Sequence, residues 1–154
     1  MGDVEYYYIK HDFIDDYRFN FVYNLLEEGS VLDIGSYVGD FLMMLKERKR
    51  QFFGTDINKK RVKSINAKLG GNYCVIDFRN GNLNKFKSKS FDNVVCTEVL
   101  EHLPDNIKAI DELCRVARKK VIISVPYKEK LVQEICIYCG KRVPMSSPQN
   151  LYHS

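Results

Sequence analysis

Short apolar runs and longer stretches with helical spacing alternate along the chain, which is the pattern of an α/β fold. The runs that predict strands are residues 31–34, 51–56, 72–76, 91–97 and 120–125. Five strands separated by helical stretches predict a doubly wound, mostly parallel sheet with helices on both faces and right-handed crossovers.

Four stretches carry apolar residues at helical intervals. The first stretch runs from about His11 to Glu28, and its apolar residues at those intervals are Phe13, Tyr17, Phe21, Val22 and Leu25. The second stretch follows Gly39 and ends in the basic residues 46–50, which favour a helix C-terminus. The third follows Asn58, a predicted N-cap, and runs to about Lys68, and the fourth covers roughly Asp105 to Arg118. In the fourth helix, the residues predicted to face the sheet are Ile107, Ile110, Leu113 and Val116. Residues 81–90 are polar and predict a loop.

The pattern changes after Pro126. Residues 134–138 alternate like a strand, and Gly140 with Lys141 predicts a turn into a short partner strand. We therefore predict one domain over residues 1–154, with a core at 30–127 and a hairpin and loop extension at 128–154. The predicted sheet is short at its C-terminal side, and we expect the extension or a second copy of the chain, as a homodimer, to cover its edge.

Composition places the 154-residue chain in the globular class, with 45% apolar and 29% charged residues. The net charge of +4 is too small to argue for a nucleic-acid partner, and the basic cluster at residues 59–63 is typical of a solvated helix face. Neither a membrane-spanning run nor a signal-peptide pattern is found, so we expect a cytoplasmic protein without a membrane partner. An odd number of cysteines, with Cys74, Cys96 and Cys114 inside apolar segments, predicts buried free thiols.

The stretch from Val31 to Phe41 is an apolar run that breaks at two glycines four residues apart and resumes with helical spacing. It predicts a strand, a tight turn and a helix. Glycine lets the backbone approach a ligand closely, and the helix aims its unpaired N–H groups into the same space. Small ligands bind at such turns, at the switch point of an open α/β sheet. The turn predicts a site for an adenosine-bearing ligand, and by itself it would also suit a nicotinamide cofactor.

Three acids are associated with the first three predicted strands, Asp33 within the first and Asp56 and Asp77 at the ends of the second and third, on one edge of a parallel sheet. Asp56 follows Asp33 by 23 residues, and a carboxylate at that distance is the expected acceptor for both hydroxyls of a ribose. Asp77 ends the third strand and is predicted to accept from an adenine amino group, with Ile57 and Phe78 contacting the faces of the ring. The sequence thus supplies partners for each part of an adenosine.

A dinucleotide fingerprint has the spacing Gly-x-Gly-x-x-Gly, whereas three residues separate Gly35 from Gly39, which favours a ligand without phosphates. Three segments together resemble the class I S-adenosylmethionine-dependent methyltransferases: Val31-Leu32-Asp33-Ile34-Gly35, Gly54-Thr55-Asp56-Ile57, and residues 91–103 with the sequence FDNVVCTEVLEHL. The resemblance covers about residues 30–126, in the order and spacing of that family. It implies a Rossmann-like fold and S-adenosylmethionine as the methyl donor.

The resemblance also implies roles for individual residues. Gly35, Ser36 and Gly39 would line the methionyl part with Asp33 at its polar end, Asp56 would hold the ribose, Asp77 the adenine amino group, and Thr97 and Glu98 would border the reacting sulfonium. Relatives usually have a small residue where this chain has Tyr37, and a non-glycine residue tolerates positive φ poorly. Tyr37 is therefore expected to line the pocket or to narrow it.

Methyl transfer is an in-line attack on an activated methyl group, so positioning of the acceptor supplies much of the catalysis. Some acceptors also need a general base, and His102 is the candidate because imidazole titrates near neutrality, with Glu98 as a second catalytic candidate. A structural role is the alternative for His102. Relatives with the Glu-Val-Leu-Glu-His-Leu pattern imply a small-molecule acceptor, with RNA as an open alternative.

Two metal sites compete with these interpretations. Glu98, Glu101 and His102 have the spacing of one helical face and could hold a divalent ion, which would resemble the metal-dependent 2′-O-methyltransferases of small-RNA 3′ ends. Cys136 and Cys139 have the spacing of a zinc knuckle, with His153 as a third ligand, or are unremarkable cysteines of a hairpin. A third alternative is a non-catalytic module that binds the cofactor and acts through a partner.

Overall fold

The computed structural model describes residues 13–125, 133–135 and 142–144, with side chains described from residue 17 to residue 125. Its elements in chain order are α1 (Phe13–Asn24), β1 (Val31–Ile34), α2 (Asp40–Glu47), β2 (Phe52–Asp56), α3 (Lys59–Leu69), β3 (Tyr73–Val75), β4 (Phe91–Thr97), a 3₁₀ turn (Leu100–His102), α4 (Asn106–Val116), β5 (Ala117–Ser124), β6 (Gln133–Ile135) and β7 (Arg142–Pro144). The predicted strands and helices are confirmed, with shifts of a few residues at their ends.

The first five strands form one parallel sheet in the order β3-β2-β1-β4-β5, which confirms the doubly wound Rossmann-like architecture. The chain runs from β1 through β2 to β3 on one side, then crosses to β4 and β5 on the other. The switch point is therefore between β1 and β4. Strands β6 and β7 pair antiparallel as a separate two-stranded sheet, as the predicted hairpin requires.

Two apolar layers cover the sheet because neighbouring strand residues point to opposite faces. Val31 packs in the layer under α1, α2 and α3, whereas Leu32 and Ile34 pack in the layer under α4. The loop at 81–90, predicted from its polar residues, contributes the fully buried Leu83 to the second layer. Arg115 of α4 holds this loop by donating to the carbonyl oxygens of Phe86 and Leu83, at 3.0 and 3.2 Å.

The predicted inner face of α4 is partly wrong. Leu113 and Val116 are fully buried, but Ile107 is 72% exposed and Ile110 is also exposed. Ala109 is fully buried in the second layer instead, and the loop approaches the helix there so closely that a Cβ on Gly81 would lie 2.9 Å from the Ala109 nitrogen. The helix therefore turns its smallest residue, rather than its largest, toward the packed loop.

Two other expectations about burial need correction. Cys96 is buried and Cys74 is half-buried, but Cys114 is exposed on α4, so the three thiols do not share the predicted burial. In α1 only Val22 is fully buried among its side chains that the structure describes, while Tyr17 and Phe21 are exposed. None of the helices in the described part of the chain has the length and apolar character that a membrane crossing needs.

Candidate functional site

The glycine turn follows β1 at the switch point of the sheet. Ile34, the last residue of β1, pairs with Thr55 of β2 on one side and with Cys96 of β4 on the other. The backbone N–H groups of Gly35 and Ser36 both donate to the Thr55 carbonyl oxygen at 2.9 Å. These bonds fix the turn beside β2, where a crevice at the carboxyl ends of the strands can receive a ligand.

Space and backbone conformation together require glycine at position 35. Its φ is +76°, and a Cβ built there would lie 2.4 Å from Cγ2 of Val99, in the segment that follows β4. Gly39 has a φ of +87°, and its Cβ would meet Ile65 of α3 at 3.1 Å. The two glycines thus let the turn pack closely against two neighbours, the segment after β4 and helix α3.

Tyr37 adopts the left-handed conformation that its residue type disfavours, with a φ of +50°. Three contacts compensate for this strain, which typically costs about 1–3 kcal/mol. The Tyr37 N–H donates to Oδ2 of Asp56 at 3.1 Å, and its carbonyl oxygen accepts from the Tyr73 hydroxyl at 3.3 Å. The Arg61 guanidinium lies over the Tyr37 ring, 4.8 Å from its centroid.

Asp56 ends β2 and is 5% exposed. Its Oδ1 accepts from the Asn58 N–H at 2.7 Å and from Nη2 and Nε of Arg61 at 3.0 and 3.2 Å. Its Oδ2 accepts from Tyr37. The carboxylate therefore lies beside the glycine turn, as predicted, but its charge is already paired with an arginine of α3.

Asp33 is buried within β1, on the face of the sheet that α1 and α2 cover. Burial raises the pKa of its carboxyl from the ordinary value of 3.8 to about 7. The Ser36 hydroxyl and the charge of Arg18 oppose this rise, and the neighbouring Asp56 charge adds to it. A carboxyl with this pKa changes its charge near neutral pH, and a cationic ligand beside it would favour the ionised form.

We expect the buried Asp33 to make the stability of the ligand-free protein fall as pH rises. Between pH 4 and 7 the folded state holds a proton that the unfolded chain has lost, so the free energy of unfolding declines through that window and levels off above it. The decline attributable to Asp33 should be about 2 kcal/mol between pH 5 and 7. Urea unfolding followed by circular dichroism at pH 5, 6, 7 and 8 measures it.

The Asp33→Asn variant should flatten this dependence, because an amide does not titrate. Asp92→Asn is the matched control: hydrogen bonds from Ser30 hold the pKa of Asp92 at about 2, below the window, so its removal should leave the slope above pH 5 unchanged. A slope in Asp33→Asn equal to that of the unmodified chain would contradict the assignment.

The structure places the three residues predicted to contact adenine in different surroundings. Asp77 is exposed, and Arg79 donates to its carboxylate from Nε at 2.9 Å and from Nη2 at 2.6 Å. This hydrogen bonding lowers the pKa of Asp77. Ile57 is exposed beside Asp56 and is free of core packing, whereas Phe78 is buried in the layer under α4, where protein encloses its ring.

Thr97 ends β4, and Glu98 follows it in a left-handed conformation with a φ of +54°. The Glu98 N–H donates to the Ser124 carbonyl oxygen at 3.0 Å, and its Oε1 accepts from the Ser124 hydroxyl at 2.8 Å. Ser124 ends β5 and pairs in register with Thr97. The two strand ends therefore hold one carboxylate in a fixed orientation at the edge that also carries the glycine turn.

The predicted metal set of Glu98, Glu101 and His102 is wrong. Glu98 precedes the 3₁₀ turn with left-handed backbone, so the three side chains do not share a helical face. His102 is half exposed, with its Nε2 3.8 Å from Oε1 of Glu101. Within residues 13–125, 133–135 and 142–144, no three His, Cys, Asp or Glu side chains are grouped so that they could hold a metal ion. The zinc candidates Cys136, Cys139 and His153 lie outside the described residues.

Sequence reasoning missed Arg61, Tyr73 and Ser124. Arg61 could have been found, because a helix capped at Asn58 places its third residue beside the end of the preceding strand. Tyr73 and Ser124 carry no local signal, since their contacts depend on which strands become neighbours.

Comparison with known proteins agrees with this architecture. A family described as a methyltransferase domain matches residues 32–125. An uncharacterized protein of Methanocaldococcus jannaschii is 31% identical over 107 residues, which are 68% of this chain and 44% of that protein.

Solved structures give the same result. A SAM-dependent methyltransferase from Archaeoglobus fulgidus matches with a TM-score of 0.64 at 25% identity, over 77% of this chain and 54% of that one. The PH0226 protein from Pyrococcus horikoshii matches with a TM-score of 0.60 at 25% identity, over 79% and 66%. The chain thus spans between 44% and 66% of the length of these relatives.

Proposed function

Because the chain belongs to the methyltransferase domain family, we propose that it transfers the methyl group of S-adenosylmethionine to a small-molecule acceptor in the crevice beside Gly35 and Thr97. The glycine turn carries the proposal, since it joins Asp33 and Asp56 at the switch point of the sheet. A ligand there would lie beside the backbone of the turn and the carboxyl groups of Asp33 and Asp56.

The residues present fit such a cofactor. The glycines let the turn pack closely against Val99 and Ile65, which holds its backbone at the end of β1 beside the two carboxyl groups. Asp56 supplies acceptors suited to the two ribose hydroxyls, and Asp33 supplies a carboxyl suited to the cationic end of the methionyl part. The cofactor, when bound, supplies an activated methyl group on a sulfonium.

The chain's own contribution to the reaction is orientation. Glu98 is held by Ser124 at the edge where the acceptor must approach, so its carboxylate can accept a hydrogen bond from an acceptor amine or hydroxyl. His102, half exposed beyond it, is the candidate to take up a proton where the acceptor releases one.

Calorimetric titration tests the proposal at its first step. We expect the chain to bind S-adenosylhomocysteine and S-adenosylmethionine with dissociation constants of about 1–100 μM, which correspond to about −8 to −5 kcal/mol. Release of S-adenosylhomocysteine in the presence of candidate acceptors then tests turnover. Absence of binding at millimolar concentrations of both ligands would contradict the proposal.

The alternative is a module that binds the cofactor without catalysis. One observation favours it: the guanidinium of Arg61 already pairs with the carboxylate that the ribose needs. Binding of both ligands without turnover of any acceptor would support this alternative.

A further inference from the structure

We propose that Arg61 competes with the cofactor for Asp56, so that the free site is closed by an internal latch made of Arg61, Asp56 and the ring of Tyr37. The inference rests on the proposed function, because it takes the ribose hydroxyls as the ligand of Asp56. It adds a residue that sets cofactor affinity from outside the predicted contact set.

The hydrogen bonds of Asp56 show why the two partners exclude each other. Oδ1 accepts three donors, the Asn58 N–H at 2.7 Å and two guanidinium N–H groups at 3.0 and 3.2 Å. Oδ2 accepts the Tyr37 N–H and has one further lone pair. A ribose that donates two hydroxyls to this carboxylate needs a place on Oδ1, and Arg61 occupies it.

The surroundings let Arg61 leave while the turn stays in place. The Arg61 side chain is 25% exposed, and the Tyr37 ring beneath it is also exposed, so the guanidinium can swing outward over that ring. The Tyr37 and Asn58 N–H groups belong to the backbone and remain on the carboxylate. Release thus exchanges one guanidinium for two hydroxyl donors and leaves the turn intact.

Competition of this kind lowers the apparent affinity by the fraction of molecules in which the latch is open. The Arg61–Asp56 pair is half-buried and carries two hydrogen bonds, so it should be stronger than an exposed ion pair. Removal of the guanidinium should therefore tighten cofactor binding by about three- to tenfold. The same change should lower the melting temperature of the free protein, because Asp56 loses its counter-ion.

The test is the variant Arg61→Met, which keeps the apolar stem over Tyr37 and removes the guanidinium. We expect S-adenosylhomocysteine, which lacks the sulfonium charge, to bind it about three- to tenfold more tightly in calorimetry, while the ligand-free melting temperature falls. Lys60→Met is the matched control, because it removes the same charge from the preceding, exposed position of α3. It should change neither quantity.

Arg61→Lys keeps a positive charge but loses the planar guanidinium, so its affinity for S-adenosylhomocysteine should lie between that of the unmodified chain and that of Arg61→Met. Weaker or unchanged binding in Arg61→Met, with the unmodified chain binding normally, would overturn the latch and leave the proposed function intact. If neither the unmodified chain nor the variants bind, the proposed function fails and the latch fails with it. Should Arg61→Met not fold, tighter binding by Arg61→Lys than by the unmodified chain supports the latch, and weaker or equal binding overturns it.

Discussion

Replacement of Asp56 by asparagine is expected to weaken S-adenosylhomocysteine binding by about 100-fold. The carboxylate would accept two ribose hydroxyls, and charge-assisted hydrogen bonds of this kind are roughly twice as strong as neutral ones. An amide of the same shape offers one acceptor atom and places its NH₂ group against the hydroxyl donors, which amounts to about 2–3 kcal/mol of lost binding. Calorimetry of the variant and the unmodified chain measures the change.

Asp111→Asn is the control, because it removes the same charge from the exposed side of α4. If Asp56→Asn bound S-adenosylhomocysteine with nearly unchanged affinity, Asp56 would not be a ligand of the ribose. The double variant with Arg61→Met connects this prediction to the latch: once the carboxylate is gone, Arg61 has nothing to compete for, so its removal should no longer tighten binding. The two substitutions should therefore be non-additive, as expected for residues that share one contact.

The strands and helices could be predicted from the sequence because their signals are local. Asn58 caps α3 by accepting from the N–H groups of Lys60 and Arg61, and Gly70 ends it in a left-handed conformation. Such residues act within one turn of their own position. The order of the acids along the chain likewise indicated their common edge, since carboxyl ends of parallel strands coincide.

The contacts and burial that could not be predicted from the sequence depend on neighbours that are distant along the chain. Ala109 is buried where Ile110 is exposed, and Gly81, 28 residues earlier, packs against the backbone of α4 at that position. Ser124 meets Glu98 only because β5 pairs with β4 in that register. Phe78 was predicted to contact a ligand, but the loop after it folds back and buries it beside Leu83. Periodicity shows which residues are apolar, and the sheet order decides which are covered.

The conformation of Tyr37 depends both on its own residue type and on neighbours that are distant in sequence. Its residue type argues against positive φ, and the structure nonetheless places it there, held by Asp56, Tyr73 and Arg61. The strain is local, but the contacts that offset it come from β2, α3 and β3. A turn with this residue therefore depends on the rest of the site for its shape.

The replacement Gly35→Ala is expected to lower the free energy of unfolding by about 3 kcal/mol and to weaken S-adenosylhomocysteine binding. An alanine with positive φ costs about 1–2 kcal/mol, and overpacking adds about 1–3 kcal/mol, because the new Cβ would lie 2.4 Å from Cγ2 of Val99. Relief of the clash must move the segment after β4 or the turn itself. Urea unfolding measures the stability, and calorimetry measures the binding.

A second substitution separates the two causes. Val99→Ala removes the clashing methyl groups, so the double variant Gly35→Ala, Val99→Ala should be destabilised, relative to Val99→Ala, by only the backbone share of about 1–2 kcal/mol. Gly70→Ala is the control for backbone strain alone, because Gly70 also has positive φ but nothing lies within 4 Å of its Cβ. If Gly35→Ala lowered the free energy of unfolding no more than Gly70→Ala does, the close packing against Val99 would not explain the need for glycine in the turn. A larger cost that Val99→Ala relieves would instead show that the turn is held as one unit with the end of β4 and the segment after it, as the proposed in-line methyl transfer beside them requires.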